Sequence, residues 1–417
     1  MRGSSVPRRS SPRGVAIAVI LATAWTFAGW TFTPWTVADD SPEKPVRRYA
    51  GLTLEEWDER IKAFPFDSAE ASRSVPGLIS IVDDPGAPWM SRRQAALTLG
   101  RMGKPAAGAV PTLRQLVLSG RGEEETRLWA LTALARFGPL ASEAAPEAAK
   151  ILENSEEPHL MRLAATELLG RIGPAHAAAF DSLLGQIAQP EPGLTEVSPE
   201  TDLRVACTDA LALFGGSAAA AVPHLMHQMR QPGDRVRQAS LTTLAAIGPG
   251  AEPAAMSVAE IMLRDPTPLT RDRAAEALVT IDVEPLLLRL LGSPQPETRE
   301  RLAKALEKKK GPVSPSLTAA IRGLLRSDIE PAVRAAALRT EWAWTKDSRT
   351  LAPLAVELLG SDSRDARKAG YEVLGKIGED AADVAPELQR VAREGNPQAA
   401  AAAKAILDRL RRNRAGA

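Results

Sequence analysis

The chain has 417 residues, with 52 Lys+Arg against 51 Asp+Glu and a formal net charge of +1. Hydrophobic residues at 44% and charged residues at 25% exclude a disordered or fibrous class, and aromatics at 4% exclude large aromatic cores and stacking platforms. A single cysteine, Cys207, excludes an intrachain disulfide and a multi-cysteine metal site.

Residues 1–13 carry Arg2, Arg8, Arg9 and Arg13 and no acid, and an apolar run, Val15–Gly29, follows. The uncharged stretch continues to Ala38, where Thr36-Val37-Ala38 offers an imperfect cleavage site. Residues 1–38 therefore read as an export signal. They read equally as an uncleaved membrane anchor over residues 15–35, with Trp30, Phe32 and Trp35 at the far interface. Both readings place the rest beyond the cytoplasmic membrane, periplasmic or secreted in the first case and single-pass anchored in the second. Removing residues 1–38, with their four arginines and no acid, leaves 48 basic against 51 acidic residues, a net of −3. That balance is a poor footprint for nucleic acid.

Residues 39–51 read as a polar linker. Leu54, Trp57 and Ile61 then share one face of a predicted opening helix. From Arg92 onward one frame recurs: RRQAALTLGRMG (92–103), RLWALTALARFG (127–138), RLAATELLGRIG (162–173), RVACTDALALFG (204–215) and RQASLTTLAAIG (237–248). More degenerate copies begin at Arg271, Arg299, Arg334 and Arg367. The nine arginines Arg92, Arg127, Arg162, Arg204, Arg237, Arg271, Arg299, Arg334 and Arg367 are spaced 35, 35, 42, 33, 34, 28, 35 and 33 residues apart. Counting each arginine as zero, a small residue stands at plus three, and large apolar residues stand at plus seven and plus ten. That spacing is one helical face, and Gly at plus eleven closes the helix. Pro111, Pro146, Pro223 and Pro386 open second helices. A lone helix pair cannot bury its own apolar faces, so the pattern predicts an all-α solenoid, a superhelix of about ten stacked two-helix units over 52–412. Gln398–Arg412 closes it, and residues 413–417 form a tail.

The R-x-x-A-x-x-x-L-G-x-I-G frame, best matched at Arg162–Gly173 and Arg367–Gly378, resembles HEAT-repeat proteins, in particular the short E–Z type of bilin-lyase-like (PBS-lyase) chains. The leucine–tryptophan opening helix resembles those of exported bacterial HEAT proteins. Signature residues of tetratricopeptide and ankyrin repeats are absent. The resemblance implies stacked repeats, and it implies that each ladder arginine links adjacent repeats.

Candidate chemistry is sparse. A basic track for anions is the functional reading of the arginines. Pairing with an acid near the preceding turn, as Asp234 before Arg237 or Glu297 before Arg299, is the structural one, favoured because interleaved acids cancel a basic field. His224 and His227 stand at i, i+3, but their helix offers no Asp, Glu or Cys to complete a metal site. A di-iron class with HEAT-like helices uses His-Glu pairs, and no histidine here is followed by Glu. Cys207 occupies the plus-three slot of small residues and reads as packing. No hydrolase, zinc-protease, phosphate-loop or dinucleotide motif is present. Catalytic, cofactor and metal residues are therefore expected to be none. The insert QPEPGLTEVSPETD (189–202), with Glu191 and Glu196, and Trp342 in a repeat lacking its Gly, are expected partner contacts, while Trp344 in the plus-ten slot is expected in the core.

The function expected from these features is a non-enzymatic scaffold binding a protein or peptide partner, exported or membrane-tethered, without nucleic acid. A bilin-lyase-like, chromophore-handling enzyme is the first rival, and the leader argues against it because such lyases act inside the cell. A HEAT-like nucleic-acid binder is the second, opposed by the charge.

Overall fold

The local signals for each helix are explicit in the side chains that cap it. Thr53 opens the helix Leu54–Lys62 with a reciprocal cap: its hydroxyl accepts from the Glu56 amide at 3.3 Å, and the Glu56 carboxylate accepts from the Thr53 amide at 2.7 Å. Ser198, Ser314 and Ser363 cap the helices Pro199–Ala212, Pro315–Ser327 and Arg364–Ile377. This computed structural model describes residues 47–66, 69–119, 124–189 and 198–416. Among these residues every regular element is helical, with one isolated antiparallel bridge between Tyr49 and Leu52. Residues 1–38, expected from the sequence to be an export signal or an anchor, lie outside the described residues. Among the described residues no helix is long and apolar enough to cross a membrane.

The nine arginine frames fold as nine helices: Trp89–Met102, Glu124–Phe137, His159–Ile172, Pro199–Ala212, Asp234–Ile247, Pro268–Ile281, Pro296–Leu306, Pro331–Thr345 and Arg364–Ile377. A second helix separates each from the next, and the series closes on Ala385–Glu394 and the long helix Pro397–Gly416. Pro111, Pro146, Pro223 and Pro386 each stand second in a second helix, where a missing N–H leaves no bond unmade. The plus-eleven glycines Gly103, Gly138, Gly173, Gly215, Gly248 and Gly378 adopt φ of +52° to +68°, a region that costs an L side chain roughly 1–2 kcal/mol. In two degenerate repeats Asp282 (φ +63°) and Lys346 (φ +51°) take the left-handed position instead.

Ala95, Ala165, Cys207 and Ser240 at plus three and Leu99, Leu134, Leu169, Leu211 and Leu244 at plus seven are inaccessible to solvent. At plus ten, Ile172 and Ile247 are buried and Met102 half-buried. Burial is broader than the single face the spacing predicts. Plus four and plus six are also buried (Leu131 and Ala133, Thr166 and Leu168, Thr208 and Ala210), because each arginine helix is sandwiched between its two neighbours. Small residues permit that approach. A Cβ on Gly100 would stand 2.9 Å from the Ala133 carbonyl, and one on Gly370 would stand 2.4 Å from the Ala355 carbonyl. Buried hydroxyls tie successive arginine helices: Thr243 donates to the Thr208 carbonyl and Thr340 to the Ala303 carbonyl, both at 2.7 Å.

At the N-terminal side Trp57 fills the space over Gly77, where a Cβ would meet its ring at 2.2 Å. Its Nε1 donates to the Tyr49 carbonyl at 2.8 Å. The end of the predicted linker is accordingly not free. Tyr49 is buried and its hydroxyl donates to Asp84 at 2.6 Å, while Arg47 donates to the same carboxylate at 2.9 Å. Residues 47–51 are held by this cluster, which an all-polar reading of DDSPEKPVRRYAG overlooks. At the other side Ala399, Ala403 and Ile406 of the closing helix are buried.

Candidate functional site

The arginine ladder is the one polar motif that runs through the whole array, and its guanidinium groups are spent on backbone and neighbours. In three repeats Nε donates to a carbonyl in the last turn of the preceding second helix: Arg92 to Val82 at 3.1 Å, Arg162 to Leu152 at 3.0 Å and Arg334 to Leu325 at 2.9 Å. Those carbonyls have no partner within their own helix, and a cation there also meets the negative end of the helix dipole. In four others one Nη grips two consecutive loop carbonyls: Arg237 on Gln231 and Pro232, Arg271 on Asp265 and Pro266, Arg299 on Ser293 and Pro294, Arg367 on Ser361 and Asp362. Arg204 clamps the base of the insert, donating to the Ile187 carbonyl at 2.9 Å and the Gln189 carbonyl at 3.1 Å.

The same guanidiniums reach into the following repeat. Arg127 meets Glu157 at 2.8 Å, Arg237 meets Asp265 at 2.8 Å, Arg299 meets Asp328 at 2.7 Å and Arg334 meets Glu357 at 2.6 Å. Asp234 does pair with Arg237. The carboxylate that Arg299 grips, however, is Asp328 of the next loop rather than Glu297 beside it. Burial pushes the Asp328 carboxyl up, but the Arg299 hydrogen bonds, the Glu330 amide and the nearby positive charge outweigh it, leaving it below the usual carboxylate range. The hydrogen bond to Asp328 in turn raises Arg299. The forward acids Glu157, Asp265 and Asp328 precede the next arginine by five or six residues; extending the repeat alignment upstream of each arginine would have exposed them.

The remaining sequence candidates fall out as follows. Cys207 is inaccessible, 3.7 Å from the Thr166 hydroxyl, and burial pushes its thiol up to about 12. A thiol held protonated in this way is a packing group. His224 is half-buried, and His227 is exposed, with Nε2 3.2 Å from the Gln231 amide. Among the described residues no group of three His, Cys, Asp or Glu is placed to hold a metal. His176 caps Ala177–Ala188 through Nδ1, which accepts from the Ala178 amide. Glu191 and Glu196 lie outside the described residues. Of the two tryptophans Trp342 departs from expectation, while Trp344 packs against the core at its margin. Trp342, predicted as an exposed contact, is 8% exposed and packs in the core, while Trp344, predicted as core, is half-buried with Nε1 donating to the Leu306 carbonyl at 3.1 Å. The helix Pro331–Thr345 runs past the usual glycine position to the left-handed Lys346, so the simple slot count does not carry through its last turn.

Beyond the ladder, each arginine helix turns a stripe to solvent, with plus two buried in three of them as Ala239, Ala336 and Ala369. Positions minus two, plus two, plus five and plus nine lie within about 60° of one another around a helix of 3.6 residues per turn. In the first repeat these are Met90, Gln94, Leu97 and Arg101; in the second, Glu125, Trp129, Thr132 and Arg136; in the third, Leu160, Ala164, Glu167 and Arg171. None of these residues is buried. In these three repeats the inward slots keep one chemistry, while the stripe changes at minus two, plus two and plus five and keeps arginine at plus nine. From Asp272 onward the same surface is laced by ion pairs between repeats: Asp272–Arg301 at 2.7 Å, Glu276–Lys308 at 2.6 Å and Arg339–Glu372 at 2.8 Å.

Known proteins agree with this architecture. The model of the family described as HEAT repeats matches residues 187–279 and 257–340. No curated protein matches the chain. Among solved structures, the Kap95:Nup1 complex is similar with a TM-score of 0.50 at 14% identity, covering 85% of this chain and 53% of that one. Kap95p bound to RanGDP gives a TM-score of 0.48 at 15% identity, covering 82% of this chain and 52% of that one. The chain thus spans about half the length of these structures. Likeness at this identity is likeness of fold: the described residues form a helical solenoid of stacked pairs, with HEAT repeats matched over 187–340.

Proposed function

We propose that this chain is a non-enzymatic protein-interaction scaffold, exported or membrane-tethered, that presents the solvent stripe of its arginine helices to a protein or peptide partner. The observation that carries the reading is the contrast between constant frame and variable stripe. Arginines, small residues and leucines repeat because stacking needs them, whereas the combination at minus two, plus two, plus five and plus nine changes from one repeat to the next, as Met90, Gln94, Leu97 and Arg101 give way to Glu125, Trp129, Thr132 and Arg136. Solenoids use such surfaces for binding because each repeat adds area without altering the core. The Kap95:Nup1 structure, similar to this chain in fold, is by its name a complex with another component. Export or tethering is supported by the basic, acid-free residues 1–13 and the apolar run that follows. The frame of Arg162–Gly173 supports the short, lyase-like repeat type without its chemistry. Glu191 and Glu196 on the insert would extend the contact surface.

The test is a photocrosslinking scan with the reactive residue placed at the stripe positions Leu97, Leu160, Leu213 and Leu269 of the full chain in its own cell. A defined protein crosslinked through one or more of these positions is expected. No crosslinked protein from any of them, together with turnover by the purified chain, would overturn the scaffold reading. Fractionation with sequencing of the mature N-terminus checks the address, and a cytoplasmic chain that retains residues 1–38 would refute it.

A further inference from the structure

Three cations stand in a row on the N-terminal part of the stripe without the ion-pair lacing that covers the C-terminal part. Arg101, Arg136 and Arg171 occupy plus nine in consecutive repeats, and all three are exposed. Their helices approach closely at this point: a Cβ on Gly100 would lie 3.2 Å from the Arg136 Cβ, and one on Gly138 would lie 3.3 Å from the Arg171 carbonyl. The row is therefore continuous. Arg101 lies over the Phe66 ring at 4.2 Å. Among the described residues no carboxylate pairs with Arg101 or Arg136, and Arg171 meets only Glu167 of its own helix, at 3.4 Å and with both side chains more than half exposed. An exposed pair of that kind neutralises little.

Beside the row the stripe carries apolar side chains among Gln94, Glu125, Thr132 and Glu167. Leu97 and Trp129 are half-buried, Met90 is 44% exposed and Leu160 is 62% exposed. Arg93 stacks on Trp129 at 3.7 Å, holding the indole in place across two repeats. A cationic edge along an apolar strip complements a chain that carries carboxylates on one side and apolar side chains on the other. A phosphate polymer would use the cations and leave the apolar strip without purpose.

We propose that this surface, on the scaffold reading above, docks an acidic peptide segment of a partner protein, with its carboxylates along Arg101, Arg136 and Arg171 and its apolar side chains on Leu97, Trp129 and Leu160. Three repeats at a helix spacing of about 10 Å span roughly 20–30 Å, which an extended segment of about eight residues covers.

The probe is a fluorescent peptide of alternating Glu and Leu, read by anisotropy against the full chain. Its comparators replace Glu with Lys, replace Leu with Ser, or are a single-stranded oligothymidylate. The alternating Glu-Leu peptide is expected to bind, and Arg101→Glu, Arg136→Glu and Arg171→Glu together are expected to weaken it by about tenfold or more. Arg264→Glu, on a second helix and exposed beside Glu260, is expected to leave it unchanged. Circular dichroism confirms folding, and Arg136→Gln alone, expected to weaken binding measurably, serves if the triple variant unfolds. No binding, equal binding of the serine peptide, equal binding of oligothymidylate, or equal loss with Arg264→Glu would each overturn the proposal. Crosslinks through Leu213 or Leu269 but not through Leu97 or Leu160 would end it while leaving the scaffold reading intact, whereas no crosslink at any position together with turnover by the purified chain ends both.

Discussion

Glu341 shows at single-residue scale how the repeat tolerates a departure. It stands at plus seven, the slot of Leu99, Leu134, Leu169, Leu211 and Leu244, and is inaccessible to solvent. One carboxylate oxygen accepts from Arg322 Nε at 2.6 Å, and the other has no partner. Desolvating a charge and leaving half its hydrogen bonds unmade costs more than one ion pair returns. Glu341→Leu is expected to stabilise the chain by about 2 kcal/mol in urea unfolding, with Arg322, already 36% exposed, turning to water. A destabilised variant would show that the carboxylate has a further partner. Asp328 works in the opposite sense. Its folded pKa is depressed, so its contribution is full above the unfolded value of about 4 and is lost as pH falls through the folded one. Thermal unfolding is expected to shift downward below about pH 4, and Asp328→Asn should flatten that part of the profile while lowering Tm at neutral pH. A profile unchanged by the substitution would discount the pair. Neither residue was legible in the sequence: a Glu in a leucine slot looks like repeat decay, and Asp328 lies outside the twelve-residue frame.

At the scale of elements, glycines divide into two physical classes that one letter conceals. Gly173 ends its helix at φ +59° with open space around its Cβ position, so its constraint is conformational. Gly370 lies mid-helix, where a Cβ would strike the Ala355 carbonyl at 2.4 Å and the Leu359 amide nitrogen at 2.7 Å, so its constraint is packing. Gly173→Ala is expected to cost about 1 kcal/mol. Gly370→Ala is expected to cost about 2–3 kcal/mol despite the better helix propensity of alanine, because backbone rather than a flexible side chain must yield. Chemical denaturation of the two variants checks the order, and a reversal would mean that the two helices separate easily. The first class is readable from the frame, since every intact copy carries Gly at plus eleven. The second required knowing which backbone lies opposite.

For the whole molecule, stability is a sum over neighbouring repeats, and the ladder is one of the couplings between them. Arg237 bonds two carbonyls and Asp234 on one side and Asp265 on the other, with the Asp265 side chain 3% exposed. Arg237→Ala is expected to cost about 3 kcal/mol, much of it from leaving Asp265 buried and unpaired. The double variant with Asp265→Ala is expected to recover part of that loss, a coupling of about 1–3 kcal/mol in a double-mutant cycle. Additive losses would show that the ladder joins nothing across the repeat boundary. The nine phased arginines, the small and leucine slots, the proline openings and the glycine stops determined by themselves that the chain is an all-helical repeat array, because each is a local requirement that recurs with the period. Tertiary structure decided what each arginine holds, that plus four and plus six are buried, that Trp342 is core, and which arginines are left without acids. Those outcomes depend on residues some thirty positions away that meet only when one helix pair stacks on the next, and a frame written along a single chain contains no record of that meeting.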